Sequence, residues 1–174
     1  MKKIIFTLGL CLVLTQVNFA QTKMKEYKTG HVITISLPDY MTKTVGLNSA
    51  ACLQFIANEL DLAGFVIEDS KEEIKLAELQ FASINAFYDD FIKDFLVDEE
   101  KRKVSKPVAK KIGSYNFLES DCSYYDKELQ SEIYYFVGIV ETPTYYYKVL
   151  CWGSLANKTK YKADFQKILY SLKD

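Results

Sequence analysis

Apolar positions crowd most densely in residues 133–152, Ile-Tyr-Tyr-Phe-Val-Gly-Ile-Val-Glu-Thr-Pro-Thr-Tyr-Tyr-Tyr-Lys-Val-Leu-Cys-Trp. Two runs of β-branched and aromatic residues flank Glu141-Thr142-Pro143-Thr144, the pattern of a β-hairpin. With those four residues as the loop, Val140 faces Tyr145, and pairing runs back to Ile133 against Trp152. Paired residues share a face. Tyr134, Phe136, Gly138, Val140, Tyr145, Tyr147, Val149 and Cys151 make one face. Ile133, Tyr135, Val137, Ile139, Tyr146, Lys148, Leu150 and Trp152 make the other. A strand pair wetted on one side alternates apolar with polar residues. Here both faces are mostly apolar, which predicts a central pair covered on both sides. This register sets Tyr147 opposite Gly138, where a ring covers the missing side chain. Pro143 falls in the loop, where its absent N–H breaks no ladder.

The remaining pattern divides into strands and helices. Residues 27–40 predict a first strand pair, with Gly30-His31 at the turn and Val32, Ile33, Ile35 and Leu37 running to Pro38. Asn48 is the expected N-cap of a helix through Leu60, with Leu47, Ala51 and Phe55 on its buried stripe. Phe65-Val66-Ile67-Glu68 predicts a short strand. Ala77, Phe81, Ile84, Tyr88, Phe91, Ile92 and Phe95 recur at spacings of three and four and predict one long helix over 74–97. Glu72 and Glu73 suit its N-terminus. After a charged loop at 98–103, residues 104–112 and 114–123 read as strands about Gly113, and 124–131 as a connecting turn. Tyr161, Phe165, Ile168, Leu169 and Leu172 form an amphipathic stripe over 157–172, the pattern of a helix that docks on a sheet. This order predicts an α+β chain: an α/β/α sandwich whose central antiparallel sheet is covered by helices on both faces.

Charge and targeting signals add a location. Residues 1–20 read as a signal peptide: Lys2 and Lys3 precede an apolar run from Ile4 to Leu14 too short to span a bilayer, and Ala20 offers a small residue for cleavage. Residues 21–174 are then a single domain. Losing two lysines leaves 20 basic residues against 23 acidic ones, a net charge of −3. That balance argues against non-specific nucleic-acid binding. No later segment is long and apolar enough to cross a membrane. The protein is thus expected to be exported, periplasmic or secreted, with no stable membrane insertion after cleavage. Cys52, Cys122 and Cys151 remain, an odd number without metal-site spacing. They read as buried free thiols, with a Cys122–Cys151 disulfide as the alternative.

Candidate chemistry is sparse. His31 is the lone histidine and reads as a polar turn residue. A Ser-His-Asp or Cys-His constellation has to use it. P-loop, dinucleotide-binding and HExxH patterns are absent, so neither cofactor nor metal is expected. Asp89, Asp90 and Asp94, with the acids at 98–100, lack the glycine turn and terminal glutamate of an EF-hand loop and read as a solvated face. Asp121, beside Cys122 and Tyr124, has no partner identifiable from sequence. Spacing alone leaves open a carboxylate pair assembled from distant positions.

The features also form an ordered series. Leu37-Pro38 ends the opening hairpin, and Phe65-Val66-Ile67-Glu68 and the aromatic helix follow. Next come Val104-Ser105-Lys106-Pro107, Glu141-Thr142 before Tyr145-Tyr146-Tyr147, and Trp152. The chain closes on Phe165-Gln166-Lys167-Ile168-Leu169-Tyr170-Ser171-Leu172-Lys173. In that order they resemble the PsbP-like family, over nearly all of the chain after residue 20. Members include photosystem II extrinsic subunits, a Ran-binding nuclear-import factor and type VI secretion adaptor chaperones. The resemblance implies a binding or assembly protein with a protein partner, and it transfers no site residues. The expected function is therefore a non-catalytic exported binding or assembly protein. The alternatives are a carboxylate-dependent hydrolase and a binder of a small apolar ligand in an aromatic-lined cavity.

One surface is singled out for a partner. Lys148 lies mid-strand on the face of Tyr135 and Tyr146, and a buried lysine needs a charge partner or a route to water. Tyrosines beside an accessible cation make a contact surface, which predicts partner binding by Tyr135, Tyr146 and Lys148. The alternative is that Lys148 extends its stem past the terminal helix to solvent.

Overall fold

The structure is a computed structural model that describes residues 22–29 and 33–174. The expected signal peptide, its expected cleavage site and the expected Gly30-His31 turn lie outside the described residues. Among the described residues ten strands and three helices follow one another. They are β1 (Met24–Lys28), β2 (Thr34–Pro38), β3 (Thr42–Lys43), β4 (Leu53–Ala57), β5 (Leu62–Ser70), α1 (Lys71–Leu76) and α2 (Ile84–Asp94). Then come β6 (Glu100–Val104), β7 (Val108–Ile112), β8 (Tyr115–Asp126), β9 (Ser131–Glu141), β10 (Tyr145–Ser154) and α3 (Lys158–Tyr170).

The predicted hairpin is β9–β10, and it is central. The large sheet runs β3-β4-β5-β10-β9-β8-β6, with β7 beside β6 along β8, and every pairing is antiparallel. The register differs from the expected one by two residues. Val140 pairs with Tyr147, and Val149, not Tyr147, lies opposite Gly138. The cause is a tighter loop. Thr142 N–H donates to the Tyr145 carbonyl at 2.9 Å, and Thr142 Oγ1 accepts from Tyr145 N–H at 3.0 Å, so Thr142 and Tyr145 close the loop and only Pro143-Thr144 lies inside that pair. Because strand side chains alternate with period two, a two-residue slip leaves every side chain on its expected face. Leu169, not a tyrosine ring, fills the space over Gly138: a Cβ there would stand 2.6 Å from Leu169 Cδ1.

Both faces are covered, giving the α/β/α sandwich. Phe136, Val140, Tyr147, Val149 and Cys151 pack with Phe165, Ile168 and Leu169 of α3 and with Ile35 and Leu37 of β2. All five stripe residues of the last helix are buried, each contributing about 1.5–3 kcal/mol before entropy. The hairpin β1–β2 is a separate two-stranded sheet on the same side. Thr34 and Lys173 exchange backbone hydrogen bonds of 2.8 and 2.9 Å, which ties it to the chain after α3. On the opposite face Val137, Ile139, Tyr146 and Leu150 pack with Ile84, Phe87 and Tyr88 of α2.

Four expected elements differ. The helix expected from Asn48 is the strand β4, with Leu53, Phe55 and Ala57 buried in alternation. Asn48 does not cap a helix; its Oδ1 accepts from Ala50 N–H at 2.9 Å, a local turn. The long helix is two. Ser83 Oγ caps α2 from Ala86 N–H, and Glu78 takes a left-handed φ of 60° after α1. The break lets Phe81 set its ring edge-on to Phe87, with centroids 5.2 Å apart. The strand expected over 104–112 is not continuous: Val104 ends β6, β7 starts at Val108, and Pro107 between them has no N–H to donate. Part of the expected charged loop is β6, whose Arg102 donates to the Ile92 and Phe95 carbonyls at the end of α2. Cys122 and Cys151 are free and belong to opposite faces of the sheet, so the sheet itself separates them.

Candidate functional site

The α2 side of the sheet holds an open cleft of about 400 Å³, between α1, the 77–81 segment and the end of the β9–β10 hairpin. Local sequence builds it. Ser70 and Glu73 stand at the spacing of a capping box, and Ser70 Oγ accepts from Glu73 N–H at 3.4 Å. Lys71 N–H donates to the Thr144 carbonyl at 2.9 Å, fastening the start of α1 to the hairpin turn. The Lys71 ammonium then reaches Glu141 Oε1 at 3.0 Å. Asn116 Nδ2 donates to Glu141 Oε2 at 2.8 Å, and the Tyr146 hydroxyl donates to Oε1 at 3.2 Å. Tyr146 stacks on Phe87 with centroids 4.2 Å apart, and Lys71 stands 4.6 Å over its ring. Ile74, Leu79 and Phe81 supply the apolar wall. Leu76 and Leu79, on and just after α1, are 77% and 56% exposed.

The electrostatics are those of a fixed acceptor. Burial works to raise the Glu141 pKa, but the hydrogen bonds from Asn116 and Lys71 outweigh it and hold it below the usual glutamate range. Tyr146 is pushed up to about 12, by burial first and then by the Glu141 charge. At neutral pH the pair is therefore a carboxylate and a neutral phenol. That arrangement fixes an ionised acceptor among its donors.

The three residues singled out in sequence share the predicted face, but they do not form one surface. Tyr146 floors the cleft and is 4% exposed. Lys148, two residues along, meets Asp69 Oδ2 at 2.8 Å and stands over the Phe87 and Phe91 rings at 5.9 and 5.7 Å. Its stem therefore runs beside α2, not past the terminal helix. Tyr135 pairs with Trp152, six residues from Tyr146 along β10, about 20 Å at the rise of a strand. There it stacks on Trp152 and meets Phe95 edge-on, at 5.4 and 5.3 Å. Lys71, Phe81 and Glu141 went unread as site residues. The Ser70–Glu73 capping signature was the one local signal for Lys71.

Three acids of the opposite face, Glu119 and Asp164 buried and Asp121 half-buried, fasten α3 to its surroundings. Asp121 accepts from the Tyr134 hydroxyl, Lys162 and Lys158 at 2.8, 2.8 and 2.9 Å. Burial works against its charge, but these donors prevail and its pKa is lowered. Glu119 accepts from Gln166 and Tyr170, and Asp164 from Thr22, Tyr40 and Lys167. Among the described residues no three His, Cys, Asp or Glu side chains are grouped to hold a metal ion. No described helix is long and apolar enough to cross a membrane.

Similarity to solved proteins lies in shape. The solution structure of cyanobacterial PsbP from Synechocystis sp. PCC 6803 superposes with a TM-score of 0.60 at 14% identity, over 95% of this chain and 98% of that one. The fold is PsbP-like. The crystal structure of LpqN, described as involved in cell envelope biogenesis of Mycobacterium tuberculosis, also superposes with a TM-score of 0.60. Identity there is 11%, over 87% of this chain and 90% of LpqN. No protein-family model matches the sequence, and a search of curated proteins finds no match. In this chain the cleft is built by α1, the 77–81 segment and the hairpin end.

Proposed function

We propose that this is an exported, non-catalytic binding or assembly protein that engages a protein partner at the α1–α2 side of its sheet. The carrying observation is the Glu141 network. A carboxylate held ionised by Lys71, Asn116 and Tyr146 beside the apolar Phe81 and exposed Leu79 suits recognition better than proton transfer. The PsbP-like fold and the envelope role named for LpqN support the same reading, as do Lys2, Lys3 and the apolar run of the leader. A photo-crosslinking residue in place of Leu79, expressed in the native envelope, tests it. The expected result is one protein adduct, weakened by Lys71→Glu, on a chain whose intact mass begins at Gln21. Hydrolysis of a glycoside or ester that Glu141→Gln abolishes, with no protein adduct, would establish the hydrolase instead.

A further inference from the structure

A run of basic residues lies at the free edge of the large sheet. Between Glu100 and Glu119 the chain carries Lys101, Arg102, Lys103, Lys106, Lys110 and Lys111 and no acid. Strands β6 and β7 lie end to end along β8, and among the described residues no strand pairs with their outer side. β6 is irregular. Its register shifts between Glu100 and Lys103, Lys101 takes a φ of 53°, and Arg102 is turned toward α2, so its edge is bent. β7 pairs without a shift, and all five of its residues are exposed.

The free groups on β7 can be placed. Ile112 pairs with Tyr115 across the two-residue loop Gly113-Ser114, where Gly113 takes a φ of 60°. The pair closing such a loop is hydrogen-bonded. By alternation Val108, Lys110 and Ile112 turn their backbone groups to β8, and Ala109 and Lys111 turn theirs outward. Side chains alternate as well. Lys110 lies on the α3 side, its ammonium 4.4 Å over the Tyr170 ring, together with Val108 and Ile112, which are 59% and 41% exposed. Lys111 lies on the other side. Among the described residues neither lysine makes an ion pair.

We propose that the β7 edge takes up an extended acidic segment of a partner protein as an added antiparallel strand. The segment has two adjacent acidic residues opposite Lys111 and Lys110, with β-branched residues opposite Ile112 and Val108. Main-chain hydrogen bonds supply the pairing and the two lysines supply the choice of partner. A second copy of this chain does not fit. Two-fold antiparallel pairing over the full length of β7 sets Lys110 against its own copy, and like charges directly opposite are destabilising. The sheet's other edge, β3, is Thr42-Lys43 and adds a further lysine. On the α2 face Lys111 pairs with Asn116, a donor to Glu141 of the cleft, so the edge adjoins the cleft; the peptide with an N-methylated backbone reads strand addition alone and the Leu79 crosslink reads the cleft, so the two readings fail separately.

The test uses fluorescence anisotropy with the intact protein and a synthetic peptide carrying Val-Glu-Glu-Thr-Val within an extended segment. The acidic peptide is expected to bind and to weaken as salt rises. Its affinity should fall about tenfold or more with Lys110→Glu/Lys111→Glu, and also when its backbone is N-methylated at alternate residues. The N-methylated peptide leaves the protein untouched, so a folding defect in the variant does not obscure the result. A Val-Lys-Lys-Thr-Val peptide should not bind. Equal binding of the N-methylated peptide would overturn strand addition, as would anionic phospholipid vesicles that bind and displace the acidic peptide. No binding of the acidic peptide at millimolar concentration would also overturn it, leaving the lysines as guards against edge pairing.

Discussion

At the residue scale, Gly138 shows how one missing side chain sets a helix in place. Any Cβ at this position meets Leu169 Cδ1 at 2.6 Å and Cδ2 at 3.0 Å, within a cluster where Leu169 is fully buried. Leu169 therefore occupies the volume that a side chain at 138 would need, and α3 approaches the central strands there. Gly138→Ala is expected to cost about 1–3 kcal/mol through overpacking. Leu169→Ala alone is expected to cost about 2–5 kcal/mol through its cavity. The double variant should be less unstable than the sum of the two, because each change relieves the other. Denaturant midpoints of the four proteins check this. Additive losses would mean that the two residues do not share the space.

At the element scale, α3 is held by packing and by two acids beneath it, the buried Glu119 and the half-buried Asp121. Tyr161, Phe165, Ile168 and Leu169 turn inward along its length, while Glu119 and Asp121 of β8 accept hydrogen bonds from its polar side chains. The apolar part dominates, since each acid mainly offsets its own desolvation. Phe165 is 1% exposed and stacks toward Tyr134 and Phe136. Phe165→Ala is expected to destabilise the fold by about 3–5 kcal/mol, read from urea unfolding. An unchanged midpoint would show that the helix is not docked. The break between α1 and α2 follows the same logic. A continuous helix would carry Phe81 away from Phe87 and Tyr146, whose rings it now meets edge-on at 5.2 and 6.2 Å.

At the scale of the whole molecule, two depressed carboxylates join separate layers. Asp121 links β8 and β9 to α3, and Glu141 links β9 to β8, β10 and α1. Both have folded-state pKa values below the ordinary range. A carboxylate depressed on folding contributes stability above its unfolded pKa of about 4 and loses it as pH falls through the folded value. Stability is therefore expected to drop in acid below about pH 4. Glu141→Gln should flatten that acid limb while lowering stability at pH 7. Thermal melts across pH 2–7 check both, and an acid limb of unchanged steepness would show that Glu141 does not contribute to it.

The sequence by itself determined the elements whose pattern is long and unambiguous. In 133–152 both faces are apolar, so the hairpin had to be central, and a two-residue error in its loop left every face assignment intact because strand periodicity is two. The stripe of the last helix, from Tyr161 to Leu172, likewise admitted one reading. The PsbP-like order of elements was legible for the same reason. Tertiary structure decided the rest where local signals conflict. Leu47, Ala51 and Phe55 fit a helix, yet Leu53, Phe55 and Ala57 are buried in alternation because β5 offers β4 a partner. Ser83 sits inside an apolar run, and only the rings of Phe87 and Tyr146 make the break there favourable. Tyr135, Tyr146 and Lys148 share a face in sequence, but the face extends about 20 Å between the tyrosines. Its charge at Lys148 is answered by Asp69. The cleft joins Lys71, Phe81, Asn116 and Glu141, and the two of these that donate to the Glu141 carboxylate, Lys71 and Asn116, lie 70 and 25 residues from it in sequence. No periodicity within one element encodes such a meeting, because it exists only once the sheet has formed and the helices have packed upon it.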